Sequence, residues 1–320
     1  MAKPHVSIII PTYNSASTLG QTIEACLAQD YPKDKLDIIV VDDGSTDNTK
    51  DIISQYSVTY ICQENKGPAA ARNIGWRKAK GDVVFFTDAD CMPARDCLAL
   101  ITDVIFKKDI AVVAGTYGIK NEKSIVAKSI HEEIIFRHRR MPSYINSFGT
   151  YNVLIKKGIL EELDGFNENY LSSSAEDSEL SYRIIAKGYK IYFEKRAKVL
   201  HFHEESLCRY LKQQFRRAFW ITELLKNHSV SVLKDYYAHW KDFIEVPLAV
   251  LIIISAFFLR DSILIVLAST YLLIQAFVPF SIYLKKRDIR VFLILLTMMC
   301  MRGFVRMIGG VSGILRRVRL

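Results

Sequence analysis

Residues Val83-Val84-Phe85-Phe86-Thr87-Asp88-Ala89-Asp90 decide the fold. An unbroken apolar run this short reads as a strand buried on both faces, as in a parallel sheet covered by helices. The run ends at two carboxylates. They then stand in a loop at the strand's carboxyl end, where open α/β sheets bind their ligands. Hard divalent cations take oxygen ligands, and Mg2+ takes one or two carboxylates beside substrate phosphates. D-x-D alone is common in loops, so its neighbours must carry the reading.

Outward from this stretch, strand and helix alternate. Val6-Ser7-Ile8-Ile9-Ile10 is a short apolar run ended by Pro11, and 18–29 follows as an amphipathic helix with Thr18 and Gln21 at capping-box spacing. Further strands are predicted over 36–41, 58–62 and 111–115, with helices over 48–55, 69–79 and from about residue 95. Short strands separated by helical patterns of similar length mean a doubly wound, mostly parallel sheet. Beyond it come a long amphipathic helix over 124–140, a polar loop over 143–150, a strand over 151–155, and a helix over 176–187 closed by Gly188. Two short strands, 190–193 and 199–202, precede a cationic helix from 207 to about 226.

The strand ends assemble a constellation. The first ends in Pro11-Thr12-Tyr13-Asn14 and the second in Asp42-Asp43-Gly44-Ser45-Thr46-Asp47. With Asp88 and Asp90, three adjacent carboxyl ends build one crevice. Tyr13 offers a ring to stack on a base, and Asp42 or Asp43 an acceptor for an N–H of a uracil or guanine edge. Asn65-Lys66-Gly67-Pro68-Ala69-Ala70-Ala71-Arg72-Asn73 is a turn feeding a helix of small residues that permit close approach. Lys66 and Arg72 are cations placed to meet a phosphate or to order the donor loop. Glu176-Asp177 opens a helix after the polar loop 171–175, where the helix dipole favours carboxylates. His201 and His203 close a strand and are candidate metal ligands.

Taken in this order, the Pro-Thr-Tyr-Asn, Val-Val-Asp-Asp-Gly-Ser-Thr-Asp, Asn-Lys-Gly-Pro-Ala-Ala-Ala-Arg-Asn and Asp-Ala-Asp segments resemble the family 2 glycosyltransferases of GT-A fold. The match runs from about Val6 to His203. The resemblance implies a nucleotide-sugar donor, a UDP-sugar foremost, a Mg2+ or Mn2+ ion, and transfer with inversion. It implies that Asp42 reads the base, that Asp90 holds the metal with Asp88 as a second candidate ligand, and that Asp88 faces the ribose or donor sugar. It also implies that Asp177 of the Glu176-Asp177 pair is the general base, with His201 near the metal. Gln213-Gln214-Phe215-Arg216-Arg217-Ala218-Phe219-Trp220 partly matches the Gln-x-x-Arg-Trp motif of processive synthases. Position 217 is Arg where that motif has Trp, which puts processivity in doubt and leaves Arg216 a candidate for the diphosphate.

The chain has 320 residues, half of them hydrophobic and 24% charged, which suggests two unlike parts. A catalytic domain is expected over 1–235 and a membrane region over 236–320. Its first apolar stretch, 243–259, is near the roughly 17 residues needed to span, and 262–284 is long enough. A third, 291–315, spans or lies in the interface. Arg260 and Asp261 alone separate the first two, and Tyr236-Tyr237-Ala238-His239-Trp240 suits an interface. The positive-inside rule puts Lys285-Lys286-Arg287, and with it the catalytic domain, on the cytoplasmic face of the cell membrane. Arg316-Arg317-Val318-Arg319 favours two crossings over three.

The net charge of +9 is clustered beside apolar segments, which points to anionic headgroups or phosphorylated substrates rather than nucleic acid. Six cysteines without a C-x-x-C pair read as reduced thiols. Met1-Ala2-Lys3-Pro4-His5 leads into a strand, not a signal-peptide core. The expected activity is a membrane-bound transfer of a sugar to a lipid-linked or saccharide acceptor in cell-surface glycan synthesis. Its rivals are a processive polysaccharide synthase, a nucleotidyltransferase and a non-enzymatic membrane scaffold.

Overall fold

The computed structural model describes residues 3–108, 110–170, 175–258 and 261–318. The polar residues 171–174 and Arg260, read above from sequence, lie outside them, as do the side chains of Arg316, Arg317 and Val318 and the whole of Arg319. The chain forms two compact units, Met1–Lys120 with Met141–Phe202, and Asn121–Arg140 with His203–Leu320.

The first unit opens β1 (Val6–Thr12), α1 (Leu19–Leu27), β2 (Leu36–Asp42), α2 (Thr49–Ile53), β3 (Thr59–Cys62), α3 (Pro68–Lys78) and β4 (Val83–Phe86). It continues with β5 (Cys91–Pro93), α4 (Cys97–Lys107) and β6 (Val112–Ile119). The chain then enters the second unit as α5 (Ile125–Arg140). It returns as β7 (Tyr144–Ile145), β8 (Val153–Lys156), α6 (Lys157–Glu162), α7 (Glu176–Ala186) and β9 (Ile191–His201).

The sheet order is β3-β2-β1-β4-β8-β6-β9-β5, with β7 on β9. The β3-β2-β1-β4 block is parallel throughout. Past it the sheet is mixed: β8 runs antiparallel to β4 and β6, and β9 parallel to β6. The apolar runs form strands because both faces are covered. Ile8, Ile10, Val40 and Phe85 pack with Leu19 and Ile23 of α1 and Leu98 and Ile101 of α4. On the other face α3 comes so near that a Cβ on Gly75 would stand 2.3 Å from Ile9 Cγ2.

Three expectations change. β1 does not stop at Pro11 but runs to Thr12 beside β2, while its pairing with β4 ends at Ile9↔Phe86. Pro11 lacks an N–H, and it falls where β1 has already parted from β4. The expected strands 190–193 and 199–202 are one strand, β9, with a register shift opposite Ala114/Thr116 absorbing the irregular middle. Two short strands, β5 and β7, arise where a loop was expected. Both owe their form to pairing with β9 rather than to local pattern.

The second unit holds α5, α8 (Leu207–Leu233), α9 (Trp240–Phe258), α10 (Asp261–Lys286) and α11 (Ile289–Val318). Helices α5 and α8 belong with the tail because an ion network ties them to it. Arg302 Nη1 lies 2.7 Å from Glu133 Oε1 and Arg137 Nη1 2.6 Å from Asp242 Oδ2. Arg306 Nη1 lies 2.6 Å from Glu245 Oε1, and its Nη2 donates to Gln214. Among the described residues, two helices are long and apolar enough to cross a membrane, Asp261–Lys286 and Ile289–Leu315, which suggests membrane association. Over the first expected stretch, α9 instead opens with Lys241, Asp242 and Glu245, all engaged in the ion network, and contains Pro247.

Candidate active site

The crevice follows from the sheet. β1 lies between β2 and β4 in the order 3-2-1-4, so the chain reverses its direction of winding between β1 and β4. Ligands of such sheets bind at that switch point, and here β1 and β4 part at the same place.

The loops of β1 and β2 are stitched together. Asn14 adopts φ +49°, a left-handed conformation that Asn tolerates better than most residues. Its Oδ1 accepts from Thr46 N at 2.8 Å and Asp47 N at 3.3 Å, and its own N donates to Ser45 Oγ. Gly44, at φ +78°, has Asn65 N 3.1 Å from where a Cβ would stand, so the turn is closed to larger residues. Asp43 accepts Lys66 N (2.8 Å), Gly67 N (2.9 Å) and Gln63 Nε2 (2.5 Å), which uses most of its acceptor capacity. Asp42 accepts once on each oxygen, from Ser45 N and Tyr60 Oη, and retains a lone pair on each. Tyr13 stands 48% exposed at the rim, and the Lys66 side chain is exposed.

Asp90 and His201, far apart in sequence, meet through strand register. β5 pairs antiparallel with β9 so that Cys91 faces His201, and Phe202 N donates to Asp90 O. His201 Nε2 thereby lies 3.3 Å from Asp90 Oδ2. Desolvation acts upward on the Asp90 carboxyl, but His201, together with hydrogen bonds from Cys91 and the backbone, holds the group below the usual carboxylate range. Desolvation pushes Asp88 up against the pull of Arg72, and Asp90 adds to the rise. The donor atoms of Asp90, Cys91 and His201 all lie within 4.8 Å of one another. Burial raises the Cys91 thiol well above its ordinary range, so the set offers oxygen and imidazole nitrogen rather than thiolate. Carboxylates with one imidazole fit a divalent cation.

Arg72 joins this set to α7. It is 1% exposed, with Nη2 2.8 Å from Asp88 Oδ1 and Nη1 2.8 Å from Glu176 Oε1. Its guanidinium is desolvated, but Asp88 and Glu176 more than offset this, and Asp177 contributes as well. Arg72, expected to meet a phosphate or to order the donor loop, bonds two carboxylates. Glu176 is itself 1% exposed and accepts Ala175 N on its other oxygen. Asp177 is half-buried in the first turn of α7, accepting Ser178 N at 2.7 Å.

Two candidates fall in the second unit. Arg216 is exposed on α8, while its neighbour Gln214 is buried against Arg306. His203 is buried, with its Nε2 3.2 Å from His131 Nδ1 and its backbone bonded to Asn121. Tyr117 and Tyr151 were missed by sequence reading. Their rings stack at 3.6 Å, and Tyr117 lies 5.0 Å from the His201 ring. Nothing local in the sequence signals them, since β6 and the start of β8 bring them together.

The fold and the crevice define an α/β protein with a carboxylate-lined crevice at the switch point of its sheet. Residues 7–161, just under half of the chain, match the profile of glycosyl transferase family 2, and this segment belongs to that family. A glycosyltransferase AglE of Haloferax volcanii is 30% identical over 59% of this chain and 64% of its own length. A poly-beta-1,6-N-acetyl-D-glucosamine synthase of Staphylococcus epidermidis is 28% identical over 71% of this chain and 60% of its own. The matched part thus spans under two thirds of either relative. Among solved structures, the mannosyltransferase PcManGT of Pyrobaculum calidifontis, in complex with GDP-Man and Mn2+, superposes with a TM-score of 0.70 at 21% identity. That superposition covers 99% of this chain and 89% of PcManGT, and the fold is GT-A.

Proposed function

We propose that this chain is a membrane-associated, inverting glycosyltransferase that moves a sugar from a nucleotide-sugar donor to a lipid-linked or saccharide acceptor. The observation that carries it is Arg72, which links Asp88 in the β4 loop to Glu176 at the start of α7. A carboxylate set for donor and metal is thereby held in register with the helix that presents a base.

In this reading Asp42 accepts an N–H of the base on its remaining lone pairs and Tyr13 stacks on it. Asp90 and His201 hold the cation, and Asp88, fixed by Arg72, faces the ribose or donor sugar. A bound cation stabilises the charge that develops on the leaving diphosphate. Asp177 takes the proton of the acceptor hydroxyl. That oxygen forms its bond to the anomeric carbon from the face opposite the diphosphate, the carbon–oxygen bond to phosphate breaks, and the nucleoside diphosphate leaves. Glu176, with an oxygen on Arg72 and the other on Ala175 N, is a positioning residue, and Asp43 a clamp for the loop carrying Lys66. The His201 imidazole favours Mn2+ over Mg2+, which prefers oxygen alone.

The test is donor turnover by the purified full chain in detergent, on a panel of UDP-, GDP- and dTDP-sugars with Mn2+ or Mg2+, with and without membrane lipid extract. Metal-dependent release of one nucleoside diphosphate, reduced about a hundredfold or more in Asp90→Asn, is the expected result. Pyrophosphate release would identify a nucleotidyltransferase, and unchanged activity in Asp90→Asn would remove the metal assignment. A polysynthase relative keeps a processive reading in view, which long products from a single acceptor would favour.

A further inference from the structure

We infer that the groove between α5 and α10 is a binding site for the headgroup of an anionic glycerophospholipid. The inference rests on the membrane-associated reading of the tail and names the lipid that this surface selects. Arg139 on α5 and Lys285 and Lys286 at the end of α10 line the groove, whose floor includes Phe136 and Ile282.

Its charge is unbalanced. Glu132, the carboxylate lining the groove, is already engaged by Lys286 at 3.0 Å. Asp288 nearby in sequence is taken by Lys128 at 2.8 Å and receives the backbone N–H groups of Arg290 and Val291. Among the described residues, neither Arg139 nor Lys285 has a carboxylate within ion-pair distance. Two unpaired cations facing one groove repel each other, and an anion between them removes that repulsion. Ser281, also in the lining, donates its hydroxyl to Phe277 O at 2.8 Å, so the cations dominate what the groove offers a ligand.

The surface beyond the groove is apolar. Leu273, Phe277, Phe280 and Leu284 are exposed and recur along α10 at spacings of four, three and four residues, so they form one stripe. The stripe ends at Leu284, on a different face of α10 from the groove, so it marks α10 as an apolar helix rather than lining the site. A basic mouth over an apolar floor of Ile135, Phe136 and Ile282, at the end of a helix long enough to span, matches a lipid with a negative headgroup and acyl chains. A free phosphate has no use for the apolar floor. A zwitterionic lipid would bring its own cation toward Arg139 and Lys285. The chemistry therefore selects a net-negative headgroup such as phosphatidylglycerol.

The experiment is native mass spectrometry of the full chain in neutral detergent, titrated with phosphatidylglycerol or with phosphatidylcholine of the same chains. The wild-type chain is expected to retain phosphatidylglycerol preferentially, and excess inorganic phosphate to leave it bound. In Arg139→Gln/Lys285→Gln, which spares the Lys286–Glu132 pair, retention is expected to weaken about tenfold or more. A control, Lys78→Gln/Lys80→Gln on the first unit, keeps wild-type retention. Equal retention of both lipids, displacement by inorganic phosphate, or a groove variant that binds like wild type would overturn the inference. Flotation with phosphatidylcholine vesicles separates the two levels. A chain that floats but shows no lipid preference loses only this site, and a chain that does not float with any vesicle loses the membrane reading as well.

Discussion

Asp177 and Glu176 are neighbours in sequence but not in chemistry. Glu176 is buried on Arg72, whereas Asp177 is half-buried beside it. Asp177→Asn keeps the shape and removes the proposed base. It is expected to lower kcat by a factor on the order of 10² to 10⁴ with donor KM little changed; a kcat within a few-fold of wild type would move the base elsewhere. Asp88 makes a pH prediction. Its pKa is raised in the folded chain, so without a cation its ionisation disfavours folding as pH rises and its protonation favours folding as pH falls. A cation reverses this by rewarding the ionised form. Mn2+ affinity should therefore begin to weaken on acidification at a higher pH than a free aspartate would dictate, and calorimetric titration of Mn2+ against pH would detect it. A shallower slope in Asp88→Asn than in wild type identifies the group. Equal slopes would exclude it.

Helix α3 illustrates how an element positions the site. Its Ala69, Ala70, Ala71 and Gly75 are buried, Gly75 against Ile9 and Val41 of the sheet, and this closeness lets Arg72 reach Asp88 and Glu176 together. Helix propensity alone makes Gly75 a poor choice by about 1 kcal/mol against Ala. Packing reverses that order, because a methyl there would stand 2.3 Å from Ile9 Cγ2. Gly75→Ala is thus expected to destabilise by about 1–3 kcal/mol, read as a lower midpoint in chemical denaturation. A stabilised variant would mean that α3 can lift off the sheet freely. The small residues were legible in the sequence as a close-approach surface. The carboxylates that Arg72 meets were not, because Glu176 follows 104 residues later and no local pattern joins them. The same holds for β5, whose residues Cys91–Pro93 carry no strand signal and pair only because β9 runs beside them.

On the scale of the whole molecule, the second unit is held by charges as well as apolar packing. Arg302 is 1% exposed, with Glu133 at 2.7 Å and Glu245 at 3.3 Å. Arg302→Ala leaves both carboxylates without this partner, and removing one member of a buried ion pair costs about 3–5 kcal/mol. Thermal unfolding of the full chain in detergent should show the loss, and an unchanged transition would mean that Arg137 and Arg306 suffice. The sequence by itself determined strands β1 to β4, the carboxylates at their carboxyl ends and the apolar tail, because each is written in consecutive residues with a local pattern. Only the tertiary structure decided that Asp90 meets His201, that Arg72 bridges two carboxylates, and that α5 and α8 join the tail rather than the sheet. Those outcomes depend on strand register and on which buried charges find partners, and both are set by residues distant in the chain.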